Sequence, residues 1–181
     1  MDFNILATSE RFTQSRAASE LWMHLRVAGD ENPKVSKLRI NGIITAKTSI
    51  PPLEAIEKLR KALREKPSHF RNLLRIIPIQ IITRTDLEDI AIAAQEQASV
   101  IAPNDFYRIT VEKRKTTLRS SQIIDAVASV IDNKVDLENP DWVVLVEVIG
   151  DYTGISVIPP IAILNVQKEK AAIVLGARRA Q

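Results

Sequence analysis

Five cationic side chains, Arg108, Lys113, Arg114, Lys115 and Arg119, lie within the run FYRITVEKRKTTLRSS, and the hydroxyls of Ser120 and Ser121 close it. The spacing predicts a strand ending in Lys113-Arg114-Lys115, a turn at Thr116 and Thr117, and a helix starting at the two serines. A helix N-terminus carries free N–H groups and partial positive charge, so flanking cations and hydroxyls there complete a cradle for phosphate oxygens. The same residues would also suit a solvated basic turn. A second group of cations, Lys58, Lys61 and Arg64, recurs along a predicted helix further upstream.

Residues suited to bond-making are fewer. There is no cysteine, which removes disulfides, thiolate metal sites and cysteine nucleophiles. Five glycines serve the whole chain, and no glycine-rich phosphate loop, nucleophile elbow or HExxH helix is present. His24 and His69 are far apart in sequence and read as ordinary boundary histidines. Acids gather at Asp132, Asp136, Glu138, Asp141, Glu147 and Asp151. Asp136 to Asp141 fits a turn in which Asp, Asn and Pro satisfy the backbone, and Glu147, alternating with Val146 and Val148, is expected on the wetter side of a strand. Tyr107 and Trp142 have the surfaces to stack on bases, but both fall in strand patterns that favour core packing. No catalytic residue, cofactor or metal is expected.

The elements that would position these groups follow from periodicity. Phe3, Ile5 and Ala7 alternate as a strand, and Ala18, Leu21, Trp22 and Leu25 share one helical face. Asn41-Gly42 predicts a type I′ hairpin between Val35–Ile40 and Ile43–Thr48. Pro51-Pro52 opens a helix whose apolar face is Ile56, Leu59 and Leu63, leaving Lys58, Arg60, Lys61, Arg64 and Lys66 for the other sides. The run LLRIIPIQIITR predicts a strand that lies at an edge or bends at Pro78. This βαββαβ order is the split βαβ of a ferredoxin-like domain, assigned to residues 1–84. Thr85-x-x-Glu88 reads as a capping box opening a second domain, residues 85–168, with a helix, a strand, a helix and three strands, the last near Ile161–Val166. Residues 169–181 are left as a tail. The fold class is α+β.

A length of 181 residues with 45% hydrophobic and 26% charged content fits two small domains. The net charge of +3 conceals an uneven distribution: residues 34–84 carry 12 Lys/Arg against 3 Asp/Glu, and residues 85–181 carry 10 against 14. Two basic zones on an acidic body are the footprint of a phosphate-backbone binder. No apolar run is long enough to span a bilayer and no leader is visible, so the protein is expected in the cytoplasm without a membrane partner.

The run FYRITVEKRK, LRSSQIIDAVASVI, KVDLENPDWVVLVEVIG and TGISVI resembles a THUMP domain, a tRNA-binding module of tRNA-modifying proteins. Such domains are commonly preceded by a ferredoxin-like domain, which suits residues 1–84 and the RIIPI segment. About 15 residues follow the last predicted strand, too few for an added enzymatic domain, so the resemblance implies the stand-alone branch: adaptors, not enzymes, that present tRNA to a separate acetyltransferase making 4-acetylcytidine. Arg114, Leu118, Arg119 and Gly154–Val157 suit that branch, whereas Leu164 stands before Asn165 where those adaptors tend toward an aromatic. The resemblance implies that Lys113, Arg114, Lys115, Arg119, Ser120 and Ser121 hold the 3′ CCA end, and that the first domain either offers its basic helix to the acceptor stem or sets the distance to the modified base. Two alternatives remain open: a small RNA-modifying or RNA-cleaving enzyme using Asp136, Asp141 and Glu147, and an RNA-binding ribosome-assembly protein.

Overall fold

The computed structural model describes residues 1–179, with side chains through residue 176. The chain forms two compact units with separate cores, one of residues 3–78 together with the segment from Ile161 onward, the other centred on residues 79–160.

The first unit runs β1 (Ile5–Ser9), α1 (Gln14–Val27), β2 (Lys34–Lys37), β3 (Ile43–Lys47), α2 (Pro52–Glu65) and β4 (Leu73–Pro78). Every neighbouring pair in the order β4-β1-β3-β2 is antiparallel, which is the split βαβ arrangement expected from the sequence. Ala17, Leu21 and Leu25 of α1 and Ile56, Leu59 and Leu63 of α2 sink into one core with Ile5, Ile44 and Ile76 of the sheet. Pro52 occupies the first turn of α2, where its missing N–H costs nothing.

β4 is not the edge of this sheet. A two-residue strand, β10 (Leu164–Asn165), pairs with it antiparallel at Ile76 and Arg75 and continues into α5 (Val166–Arg179). The final strand expected in the second domain therefore belongs to the first unit, and most of the expected tail is helix. Ala180 and Gln181 lie outside the described residues. Leu164 and Val166 are fully buried in the first core, which explains why this segment returns. Pro78 lies beyond the reach of β10, so its lack of an N–H breaks no pairing with that strand.

The second unit contains β5 (Ile81–Arg84), α3 (Leu87–Ala98), β6 (Phe106–Arg114), α4 (Ser120–Ala128), β7 (Lys134–Val135), β8 (Trp142–Ile149) and β9 (Tyr152–Ile158), with strand order β5-β9-β8-β6-β7. β6 is parallel to β7 and β8, while β9 is antiparallel to both β8 and β5. Ile90, Ala93 and Ala94 of α3 and Ile123 and Val127 of α4 pack on Val144, Val146 and Val148 of β8. The single strand expected across Pro78 is two strands in two sheets. Its second half, assigned by sequence to residues 1–84, pairs with β9 instead.

Two local expectations change in detail. The hairpin forms, but its turn has positive φ at Gly42 and not at Asn41, and it is closed by Ile43 N–H donating to Ile40 C=O at 3.1 Å. That is the type II pattern, not type I′. Helix α3 is capped one residue late: Asp86 accepts from Glu88 N at 2.9 Å, while the Thr85 hydroxyl pairs with that of Thr153 at 2.9 Å.

Candidate nucleic-acid interface

β6 is a nine-residue strand locked along its length to β8, and this parallel pairing delivers Arg114 to the end of the sheet. Lys115 then adopts φ +54°, a left-handed conformation that turns the chain sharply toward α4. Thr116 Oγ1 accepts from Leu118 N at 3.2 Å, fixing the turn. Arg119 is the residue preceding α4, with extended backbone, and Gln122 Oε1 reaches back to accept from Arg119 N at 3.0 Å. Half a capping box is thus present. The other half is missing because a guanidinium has no acceptor to offer, and no side chain caps the N–H groups of the first helical turn.

The helix therefore starts at a half-exposed Ser120 and an exposed Ser121, with no acid in its first turn and exposed Lys115 and Arg119 beside it. An anion would complete this arrangement. An open depression lined by Thr85, Lys115, Thr116, Thr117, Leu118, Gly150 and Asp151 adjoins it.

The structure divides the remaining sequence candidates by what they touch. Lys113 Nζ donates to Leu118 O at 3.0 Å and braces the turn. Arg114 Nη1 pairs with Glu147 Oε2 at 2.7 Å, and that carboxylate side chain is 1% exposed. Glu147 is thus not on a wet face. β8 is the central strand, and residues 143–149 are buried on both of its sides, so alternation there does not separate core from solvent. Arg108 lies six residues before Arg114 on an extended strand, about 20 Å away, and donates to Leu137 O at 3.3 Å. It is not part of the junction.

The acidic group is accounted for locally. Asp136 Oδ1 accepts from the N–H groups of Glu138 and Asn139, both at 2.9 Å, and these two bonds, Asn139 first, hold its carboxyl below the ordinary range. Asp141 Oδ2 accepts from Phe106 N at 2.8 Å. Among the described residues no His/Cys/Asp/Glu group could hold a metal ion. Trp142 Nε1 donates to Asp105 at 2.8 Å, and Tyr107 is 1% exposed, its hydroxyl pushed up by burial and then by Asp132. Neither ring is placed for stacking on a base.

On α2, Lys58 pairs with Glu54 at 3.0 Å and Lys61 with Glu65 at 4.0 Å, and both remain exposed, as does Arg64. Arg60, expected on the outer sides, is buried, and its guanidinium joins Glu57, Glu169 and the Ile161 carbonyl. The partner that buries it comes from α5, more than a hundred residues away, and nothing local announces it. His24 is in the core, stacked on Phe70 with ring centroids 3.8 Å apart, and burial holds its pKa below the ordinary 6.5. The sequence reading also passed over Phe12, which is 97% exposed. An apolar residue between a strand and a helix reads as core, so no local signal marked it.

No helix among the described residues is long and apolar enough to cross a membrane. No curated protein matches the chain. Among solved structures, PH1313 from Pyrococcus horikoshii Ot3 superposes with TM-score 0.66 at 17% identity, covering 87% of this chain and 54% of that one. TrmN from Thermus thermophilus gives 0.56 at 16% identity, covering 86% and 45%. A 4-thiouridine synthetase solved as an RNA complex with bound ATP gives 0.50 at 15%, covering 87% and 41%. At such identities the likeness is one of fold, and the chain spans about half the length of these structures. The second unit is defined more sharply, because the THUMP domain family model matches residues 84–158 and spans β6, the basic turn, α4, β8 and β9. The chain thus contains a THUMP domain at residues 84–158.

Proposed function

We propose that this chain is a non-catalytic RNA-binding adaptor that grips tRNA at the acceptor stem and 3′ end and presents it to a separate modifying enzyme, an RNA cytidine acetyltransferase. The observation that carries the reading is the uncapped start of α4, flanked by exposed Lys115 and Arg119, inside a THUMP domain. A solved neighbour complexed with RNA supports the ligand class. The enzyme partner rests on the resemblance carried by Arg114, Leu118, Arg119 and Gly154–Val157. Asp136, Asp141 and Glu147 each have structural partners, which favours an adaptor over an enzyme built on those carboxylates.

Phosphate contacts at Lys115 and Arg119 require that Lys115→Ala and Arg119→Ala each weaken tRNA binding at fixed salt and lower the slope of log affinity against log salt by about 1. Unchanged affinity and slope in both variants would remove the cradle. Sequencing of cellular tRNA with and without the gene tests the partner: loss of 4-acetylcytidine is expected, and its full retention would overturn the acetyltransferase assignment.

A further inference from the structure

We propose that Phe12 is the stacking platform of a second RNA contact, in which one unpaired base lies on its ring and the flanking phosphates meet Arg11, Arg16, Lys37 and Arg39. The proposal rests on the RNA-binding reading above but uses a different loop in the other unit. Phe12 lies in the four-residue connection between β1 and α1, with φ +69° and 97% of its surface exposed. A bulky L residue at positive φ is unfavourable, and an exposed phenyl ring contributes nothing to a core. The backbone enforces the position: Glu10 O accepts from both Thr13 N at 3.3 Å and Thr13 Oγ1 at 3.1 Å, closing a tight turn that leaves Phe12 outermost.

Cations reach this loop because the β2–β3 connection is fastened to it. Gln14 Nε2 donates to the carbonyls of Leu38, Ile40 and Ile43 at 3.0, 3.2 and 2.6 Å. Lys37 Nζ donates to Ser15 Oγ at 2.8 Å, and Ser9 N to Gly42 O at 2.9 Å. Arg11, Arg16, Lys37 and Arg39 are therefore gathered at one end of the sheet, all exposed, with Glu10 the one acid in these two connections.

An unpaired nucleotide is the occupant this chemistry fits. Every base has a π-face that stacks on an aromatic side chain irrespective of its identity, and cations beside the ring track the backbone. A lipid surface would call for more than one apolar anchor, whereas Thr13, Gln14 and Ser15 follow Phe12 directly. A protein partner would call for an extended apolar patch, whereas the chain neighbours of Phe12 are Arg11 and Thr13.

The test compares the full chain with Phe12→Ala and Phe12→Trp for binding, at fixed salt, to an RNA hairpin with a four-nucleotide 3′ overhang and to its blunt-ended counterpart. Phe12→Ala should weaken overhang binding by about five- to a hundredfold, leave blunt-end binding and the thermal midpoint unchanged, and Phe12→Trp should retain wild-type affinity. Equal overhang affinity for wild type and Phe12→Ala would overturn the platform and leave the RNA-binding reading intact. Failure of the wild type to bind any RNA would overturn both. Phe12-dependent sedimentation with phosphatidylserine vesicles, without an RNA effect, would assign the ring to a membrane and also overturn the proposal.

Discussion

Arg114 and Arg119 look alike in the sequence, five residues apart in one basic run, yet they answer to different physics. Arg114 pairs with a carboxylate that is 1% exposed, and removing one partner of such a pair takes away much of what offsets the cost of burying the other charge. Arg114→Ala is expected to lower stability by about 2–4 kcal/mol, read as a shifted midpoint in urea unfolding. Arg119→Ala should stay within ~0.5 kcal/mol of wild type, as an exposed side chain does. Loss of RNA binding in the first variant therefore reports on folding, and only the second reports on contact. The identity of the basic cluster was legible from residue types, but its division was not, because the acid that claims Arg114 lies on β8 and becomes its neighbour through strand pairing. His24 carries a pH signature. Burial keeps its folded pKa below the unfolded value of 6.5, so its neutral form stabilises the protein fully above that pH. As pH falls below 6.5 the unfolded chain binds the proton first and stability is lost, before the carboxylates with lowered pKa, Asp30 and Asp136, contribute below 3.8. His24→Leu should flatten the fall in thermal midpoint between about pH 7 and pH 5.

At the level of elements, the hairpin and the proline break show where local rules succeed and where they stop. Asn41-Gly42 correctly marks a turn, since glycine adopts the φ of +76° found there without the steric cost of a Cβ. The need for glycine is also tertiary: a Cβ at residue 42 would sit 2.6 Å from the Ser9 carbonyl oxygen. Gly42→Ala should thus destabilise the first unit by about 1–3 kcal/mol, and amide exchange should rise in β1 and β3 while β8 stays protected. Pro78 correctly announces an interruption. That the chain changes sheets there is decided by pairing with β9, where Gln80 N donates to Ile155 O at 3.1 Å and Gln80 Oε1 accepts from Val157 N at 2.7 Å. Those partners are more than seventy residues downstream, beyond any local pattern.

Across the whole molecule, the division of charge was readable by counting, and the division of chain was not. Eleven of the twelve Lys/Arg of residues 34–84 lie in the first unit and the basic turn lies in the second, so a ligand held by both should show a steeper salt dependence than either set of cations alone produces. Reversing Lys58 and Lys61 to glutamate should reduce that slope for intact tRNA and leave binding of a short CCA oligonucleotide unchanged. The segment from Ile161 onward closes the first unit: Leu164 and Val166 fill its core, and Glu169 and the Ile161 carbonyl engage Arg60. Removing residues 161–181 should therefore lower the unfolding midpoint of β1 and β4 and spare β8 and β9, as resolved by hydrogen exchange. The same return of the chain sets an order of events on the ribosome. At roughly 5–20 residues per second, the stretch between the end of β4 at Pro78 and the start of β10 at Leu164 takes on the order of ten seconds to make. Through that interval the first four strands wait with Ile76 unpaired by β10, so the unit begun first is the last to be finished, and the nascent chain is open to chaperones or misassembly for as long as the second unit is being made.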